Sequence, residues 1–97
     1  MATYIILCNF TEQGIRSVKD STKRAETLNA LGKENGVTVK DMYWTLGSYD
    51  IVATLEAPDD ETITALGLSL GQMRNVRTQT MRAFAADEMA KVLARMK

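Results

Sequence analysis

From Thr3 to Phe10 the chain reads TYIILCNF, rich in β-formers and apolar at both parities, which predicts a strand covered on both faces. At Thr11 the pattern turns polar and glycine-interrupted (TEQGIRSVKDS). Ile15, Val18, Ala25, Leu28 and Leu31 then recur at helical spacing, with a break near Asp20 and Ser21 where a new N-cap fits. GKENG closes that helix, and Gly36 suits the left-handed position behind it. Residues 37–46, VTVKDMYWTL, predict a second and more polar strand; 49–57, YDIVATLEA, predict a third. In APDDET, Pro58 followed by Asp59 or Asp60 as N-cap marks a helix start, with Ile63, Leu66, Leu70 and Met73 as the buried stripe. NVRTQTMRAF, 75–84, predicts a fourth strand. The tail places Ala85, Met89, Val92, Leu93 and Met96 on one helical face and Glu88, Lys91 and Arg95 on another.

The order β-α-β-β-α-β-α predicts one α+β domain over residues 1–97: a ferredoxin-like βαββαβ sandwich with an extra C-terminal helix. That topology puts the first and third strands in the centre. Their sequences agree, being the most apolar, whereas Lys40, Asp41, Arg77 and Gln79 sit in the other two, where charge guards an open edge. Helices cover only one face of such a sheet, yet the first strand is apolar on both, with Tyr4, Ile6, Cys8 and Phe10 one way and Ile5 and Leu7 the other. A second copy of the same sheet is the simplest cover, so a sheet-to-sheet homodimer, open to further assembly, is expected.

Gly47-Ser48 fits a two-residue hairpin loop, since glycine takes the positive φ at the first central position of a type II′ turn. Leu46 then lies opposite Tyr49, Thr45 opposite Asp50, Trp44 opposite Ile51 and Tyr43 opposite Val52. Parity sorts Met42, Trp44, Leu46, Ile51, Ala53 and Leu55 onto the helix-covered face, and Tyr43, Thr45, Asp50, Val52, Thr54 and Glu56 onto the other.

Composition narrows the chemistry. Twelve basic and twelve acidic residues cancel, which leaves no electrostatic footprint for nucleic acid. No apolar run reaches the roughly 18 residues of a membrane span. MATYIILCNF lacks a basic n-region and a small-residue cleavage site, and reads as a strand rather than a signal peptide. The single cysteine, Cys8, has no internal disulfide partner, consistent with a reducing, cytoplasmic setting. With no histidine, the commonest general base and transition-metal ligand are missing, and neither metal nor cofactor is expected.

Among the individual residues, Asp50 stands out, because aspartate is depleted in strands. Its structural role would be to accept hydrogen bonds from turn amides or Thr45; its functional role would be a carboxylate base or an anchor for a cation. Tyr49 is a strand aromatic or a phenol donor in a ligand pocket. Asp59, Asp60 and Glu61 are accounted for by capping, Trp44 and Met42 by a core, and Cys8 by a buried small hydrophobe. Asn75, Arg77 and Arg82 suit pairing with acids across an interface, or holding a ligand carboxylate.

Four short elements in order, FTEQGI, YWTLG-S-YD, EAPDDE and NVRTQTMRAF, resemble the GYD domain family, named for a Gly-x-Tyr-Asp element that here is Gly47, Tyr49 and Asp50. The resemblance runs from about Tyr4 to Leu93. It implies a ferredoxin-like domain similar to the dimeric α/β barrels, and little about chemistry. One position departs from it: many relatives carry glycine where this chain has Arg74, which argues against a left-handed turn there. The functional expectation is a homo-oligomeric binding module that holds a small organic molecule near Tyr43, Trp44, Tyr49 and Asp50. The alternatives are an assembly protein whose Gly-x-Tyr-Asp element locks hairpin and interface, and a cofactor-free enzyme with Asp50 as base and Tyr49 as oxyanion donor.

Overall fold

A computed structural model describes residues 1–97. Its elements are β1 (Ala2–Phe10), α1 (Glu12–Arg16), a 3-10 turn (Val18–Asp20), α2 (Ser21–Glu34), β2 (Thr38–Trp44), β3 (Ile51–Ala57), α3 (Asp60–Gln72), β4 (Val76–Ala83) and α4 (Ala86–Ala94). The sheet runs β2-β3-β1-β4 with every neighbour antiparallel. This is the ferredoxin-like arrangement, with the two most apolar strands central. Period-two burial sets the faces. Ile51, Ala53, Leu55 and Ala57 alternate with Val52, Thr54 and Glu56, and Tyr4, Ile6 and Cys8 with Thr3, Ile5 and Leu7. The first set of each strand meets Val37, Ile63 and Leu66 in the core. The second set forms an open face that no helix covers. Only 13 of 97 residues are buried, a thin core even for a small domain.

The helices begin where local chemistry puts them. Asp59 caps α3, accepting from the Thr62 amide at 2.8 Å and the Thr62 hydroxyl at 2.7 Å, and these bonds, the hydroxyl's first, hold its carboxyl below the ordinary range. Tyr4 donates its phenol to Asp60, which fastens the start of α3 to β1 and raises the phenol above its ordinary value. Gly36 is left-handed behind α2, as expected. Edge strand β2 carries a bulge between Val39 and Asp41. There Lys40 swings to Glu56 (3.1 Å), while Thr54 donates to Asp41 (3.1 Å). The bulge lies away from the turn, so the parity expected for residues 42–44 and 51–55 stands.

Arg74 reverses one expectation. It is the single non-glycine residue with positive φ, at 65°, so the left-handed turn persists without glycine. The cause is a clasp from the segment after β1. Thr11 donates its amide to the Asn75 carbonyl (3.1 Å) and its hydroxyl to that of Arg74, while Gln13 donates to the Met73 carbonyl and the Asn75 side chain, both at 3.0 Å. Three consecutive carbonyls held from outside over-determine the backbone at Arg74, which offsets the strain of a side chain there. Gly14 lets the segment approach: a Cβ on it would stand 1.9 Å from the Asn75 carbonyl oxygen.

The tail helix α4 buries no residue. Glu88 accepts from the Ala85 amide (3.2 Å) and pairs with Arg82 (3.2 Å), and Arg82 lies over the rings of Tyr4 and Phe84. Arg82 is therefore paired within the chain rather than across an interface. Met89, Val92, Leu93 and Met96 remain exposed. The radius of gyration is 14.6 Å, against roughly 12.5 Å for a compact chain of this length.

Two glycine substitutions separate packing from propensity. Gly14→Ala is expected to cost about 2–3 kcal/mol in urea unfolding, because backbone rather than a flexible side chain stands in the way. Gly71→Ala, with nothing within 4 Å of the added carbon, is expected to stabilise by about 0.5–1 kcal/mol as a helical glycine replaced by alanine. The cap gives a pH signature. Since the folded Asp59 carboxyl lies below its unfolded value, its contribution is complete above the unfolded pKa and is lost as pH falls through the folded one. Thermal melts of Asp59→Ala should therefore show a shallower loss of stability on acidification than the unmodified chain.

Candidate functional site

The pairs Met42–Ala53, Tyr43–Val52 and Trp44–Ile51 carry the β2–β3 ladder to its end, in the expected register. One more bond follows, from the Thr45 amide to the Asp50 carbonyl (2.9 Å). The loop beyond is wider than a two-residue turn. The Thr45 hydroxyl takes the Tyr49 carbonyl at 2.6 Å, the acceptor that the Leu46 amide would need to close a tight turn. Gly47 has the expected positive φ, 101°. Leu46, placed by parity against the helices, is instead fully exposed, because the chain leaves the ladder before it.

Asp50 is held at three points. Its amide donates to the Cys8 carbonyl (2.8 Å), its carbonyl accepts from Thr45, and carboxylate Oδ2 accepts from the Phe10 amide at 2.8 Å. The regular β1–β3 ladder stops at Cys8–Ile51. The Asp50 side chain thus supplies β1 with one further acceptor after the strand partner has turned away, in a charge-assisted bond. That accounts for an aspartate where strand propensity disfavours one.

The four residues expected around one pocket part company. Trp44 turns to the helix side, where its indole N–H donates to the Ser21 hydroxyl at 2.8 Å. Tyr43 pairs with Val52 on the open face. Tyr49 reaches across toward β4, its hydroxyl 3.5 Å from Gln79 Oε1. Asp50 lies between, on β1. What the hairpin does expose is aromatic and apolar surface on both faces: Tyr43 is 60% exposed on the open face, Trp44 44% on the helix side, and Leu46 stands beyond both.

A cavity of about 180 Å³ lies on the other side of the sheet, under α2 and α3, and twelve of its sixteen lining residues are hydrophobic. None of Tyr43, Trp44, Tyr49 and Asp50 lines it. Cys8 does, and burial pushes its thiol up to about 11, so it stays protonated near neutrality. No three His, Cys, Asp or Glu side chains converge as a metal site. Asp59 and Asp60 are taken up by Thr62 and Tyr4.

The clasp residues Thr11, Gln13 and Gly14 escaped sequence reasoning as a group. The only local signal was glycine inside a short helical pattern; their partners lie some 60 residues away.

Asp50→Ala should cost about 1–3 kcal/mol, by orphaning the Phe10 amide, whereas Asp50→Asn, which keeps an acceptor, should cost less. Urea unfolding measures both. Hydrogen exchange should accelerate at Phe10 in the alanine variant and leave Ile6 protected.

The chain is 33% identical over 98 residues to the glutamine synthetase and cystathionine beta-lyase binding protein of Thermus thermophilus, and the match covers all of both chains. Its fold is similar to the crystal structure of FFRP-DM1 (24% identity, TM-score 0.61, 87% of this chain and 100% of that one). It is similar too to a solved Thermus thermophilus protein (25% identity, TM-score 0.57, 89% and 96%). Residues 4–93 match the GYD domain, and the chain belongs to the GYD domain family.

Proposed function

We propose that this chain is a protein-binding module, whose contact surface is the Tyr43–Asp50 hairpin and whose working form is a sheet-to-sheet homodimer. The observation that carries the reading is the hairpin itself, which exposes Tyr43 on the open face, Trp44 on the helix side and Leu46 at its tip. Tyrosine and tryptophan lose little side-chain entropy on contact and dominate binding energy at protein interfaces. The hairpin is also braced before any partner arrives. Asp50 anchors it to β1, Trp44 to Ser21, and Thr45 closes its loop. A braced aromatic surface has less ordering cost to meet on association.

The name of the Thermus relative supports an enzyme as the bound protein. The open face supports the dimer. Ile5, Leu7 and Val52 are half-buried there and Met81 is 37% exposed, while the nearby charges Lys40 and Glu56 already pair within the chain. Such a face asks for apolar cover, with Arg77, opposite Asn9 at one end, as an unpaired charge. A small organic ligand near Tyr43, Tyr49 and Asp50 would be held at the rim of the paired sheets. The cofactor-free enzyme draws less support, since Asp50 Oδ2 is occupied by the Phe10 amide and the Tyr49 hydroxyl faces Gln79.

Two variants separate the parts. Sedimentation should give twice the chain mass for the unmodified protein, and the monomer mass for Leu7→Glu with its circular dichroism retained. Biosensor titration against glutamine synthetase and cystathionine beta-lyase from the chain's own source should show binding, weakened about 100-fold or more by a combined Tyr43→Ala and Leu46→Glu change. Leu46→Glu alone, which lies beyond the ladder, should remain dimeric. Monomeric sedimentation of the unmodified protein would sink the dimer; binding unchanged by the hairpin variant, or absent for both enzymes, would sink the contact surface.

A further inference from the structure

The cavity beneath α2 and α3 lies across the sheet from the open face and is independent of the hairpin reading. We infer that it is a binding site for one small uncharged apolar molecule, of the size of benzene to indole. Its dimensions set the class. About 180 Å³ compares with the roughly 150 Å³ of an engineered apolar cavity that stays dry and binds benzene. No helix or strand of a protein partner fits in such a space, since a helix with its side chains is about 10 Å across.

The lining sets the polarity. Leu28 from α2, Leu70 from α3 and Met42, Ala53, Cys8 and Val76 from the four strands make up half of its hydrophobic wall. The polar groups among the lining are engaged elsewhere. The Arg24 guanidinium donates to the Ser17 and Gly14 carbonyls (2.9 and 3.3 Å), the Ser21 hydroxyl accepts from Trp44, and the Asn75 side-chain oxygen accepts from Gln13. A cationic ligand would give up its water, meet the Arg24 charge and find no carboxylate in the lining, and a strongly hydrogen-bonding one would find few free partners. The Cys8 thiol, held neutral by burial, offers a soft contact rather than a nucleophile, so the molecule is held and not transformed.

Plasticity points the same way. Met42 and Met73 both line the space, and unbranched thioether side chains adapt to varied apolar shapes. They also provide the readout. Of six methionines in the chain, these two line the cavity, while Met1, Met81, Met89 and Met96 are exposed elsewhere.

The test is a titration of the full chain with indole, followed by the methyl resonances of 13C-labelled methionine. Saturable shifts confined to Met42 and Met73, with a raised melting temperature, are expected. Ala53→Leu, which puts a side chain into the space, should abolish those shifts while the circular dichroism spectrum is kept. Should Ala53→Leu fail to fold, Ala25→Val fills the same space from α2 and should weaken indole at least about ten-fold. Benzylamine should bind at least about ten-fold more weakly than benzene, because no carboxylate lines the space and its ammonium would meet the Arg24 guanidinium. Shifts led by Met81, Met89 or Met96, equal binding of benzylamine and benzene, undiminished binding in the filled variant, or no saturable shift up to millimolar indole would each overturn the site.

Discussion

The structure depends on how β1 ends. This strand is paired on both sides, with β3 and with β4, and it must leave the sheet at Phe10 and Thr11 without stranding its amides. Two acceptors from opposite directions solve the problem. The Asp50 carboxylate takes the Phe10 amide, and the Asn75 carbonyl takes the Thr11 amide one residue later. Each acceptor belongs to a different connection, the first to the β2–β3 hairpin and the second to the turn between α3 and β4. The same few bonds therefore terminate the central strand, brace the aromatic hairpin and hold the left-handed turn at Arg74.

This makes the Gly-x-Tyr-Asp element intelligible from its last member backward. Asp50 must sit where its carboxylate reaches β1, which fixes the start of β3. Thr45 and Tyr49 then close the loop through a hydroxyl rather than an amide, and the loop opens enough to expose Leu46. Gly47 supplies the positive φ that the reversal needs. A carboxylate committed in this way is a brace, and the surface it braces is what a partner would meet.

Much of this was legible in the chain before its coordinates. Apolarity at both parities placed β1 in the centre, and period two sorted β3 correctly, because burial imposes those patterns directly. The pairs Trp44–Ile51 and Tyr43–Val52 followed from a plausible loop of even length, although the actual loop is four residues wide; the two share a register. What stayed hidden depends on contacts remote in sequence. Nothing near Arg74 announces that Thr11 and Gln13 hold its neighbours, so an arginine in a glycine-like conformation could not be foreseen. The sequence favoured a structural role for Asp50, accepting from turn amides or Thr45, over a catalytic one, but the donor that it meets is the Phe10 amide, 40 residues away. The tail illustrates the opposite limit. Its amphipathic pattern foretold α4, but a pattern names an apolar face without naming what covers it.

A thin core and an apolar open face are two consequences of one allocation. The sheet spends its apolar residues on both sides, so neither side receives the full cover that a one-faced sheet of this size would have. On the helix side the shortage leaves the cavity between Leu28, Leu70 and Ala53. On the open side it leaves Ile5, Leu7 and Val52 half-buried. Completing the burial of a large aliphatic side chain is worth up to about 1.5–3 kcal/mol, and about a third of that or less where it is already mostly covered. Three such residues on each of two copies amount to several kcal/mol, a large share of a small domain's stability of roughly 5–10 kcal/mol. Whatever covers the open face would also stabilise the strand end on which the hairpin is braced, which links folding to the proposed association.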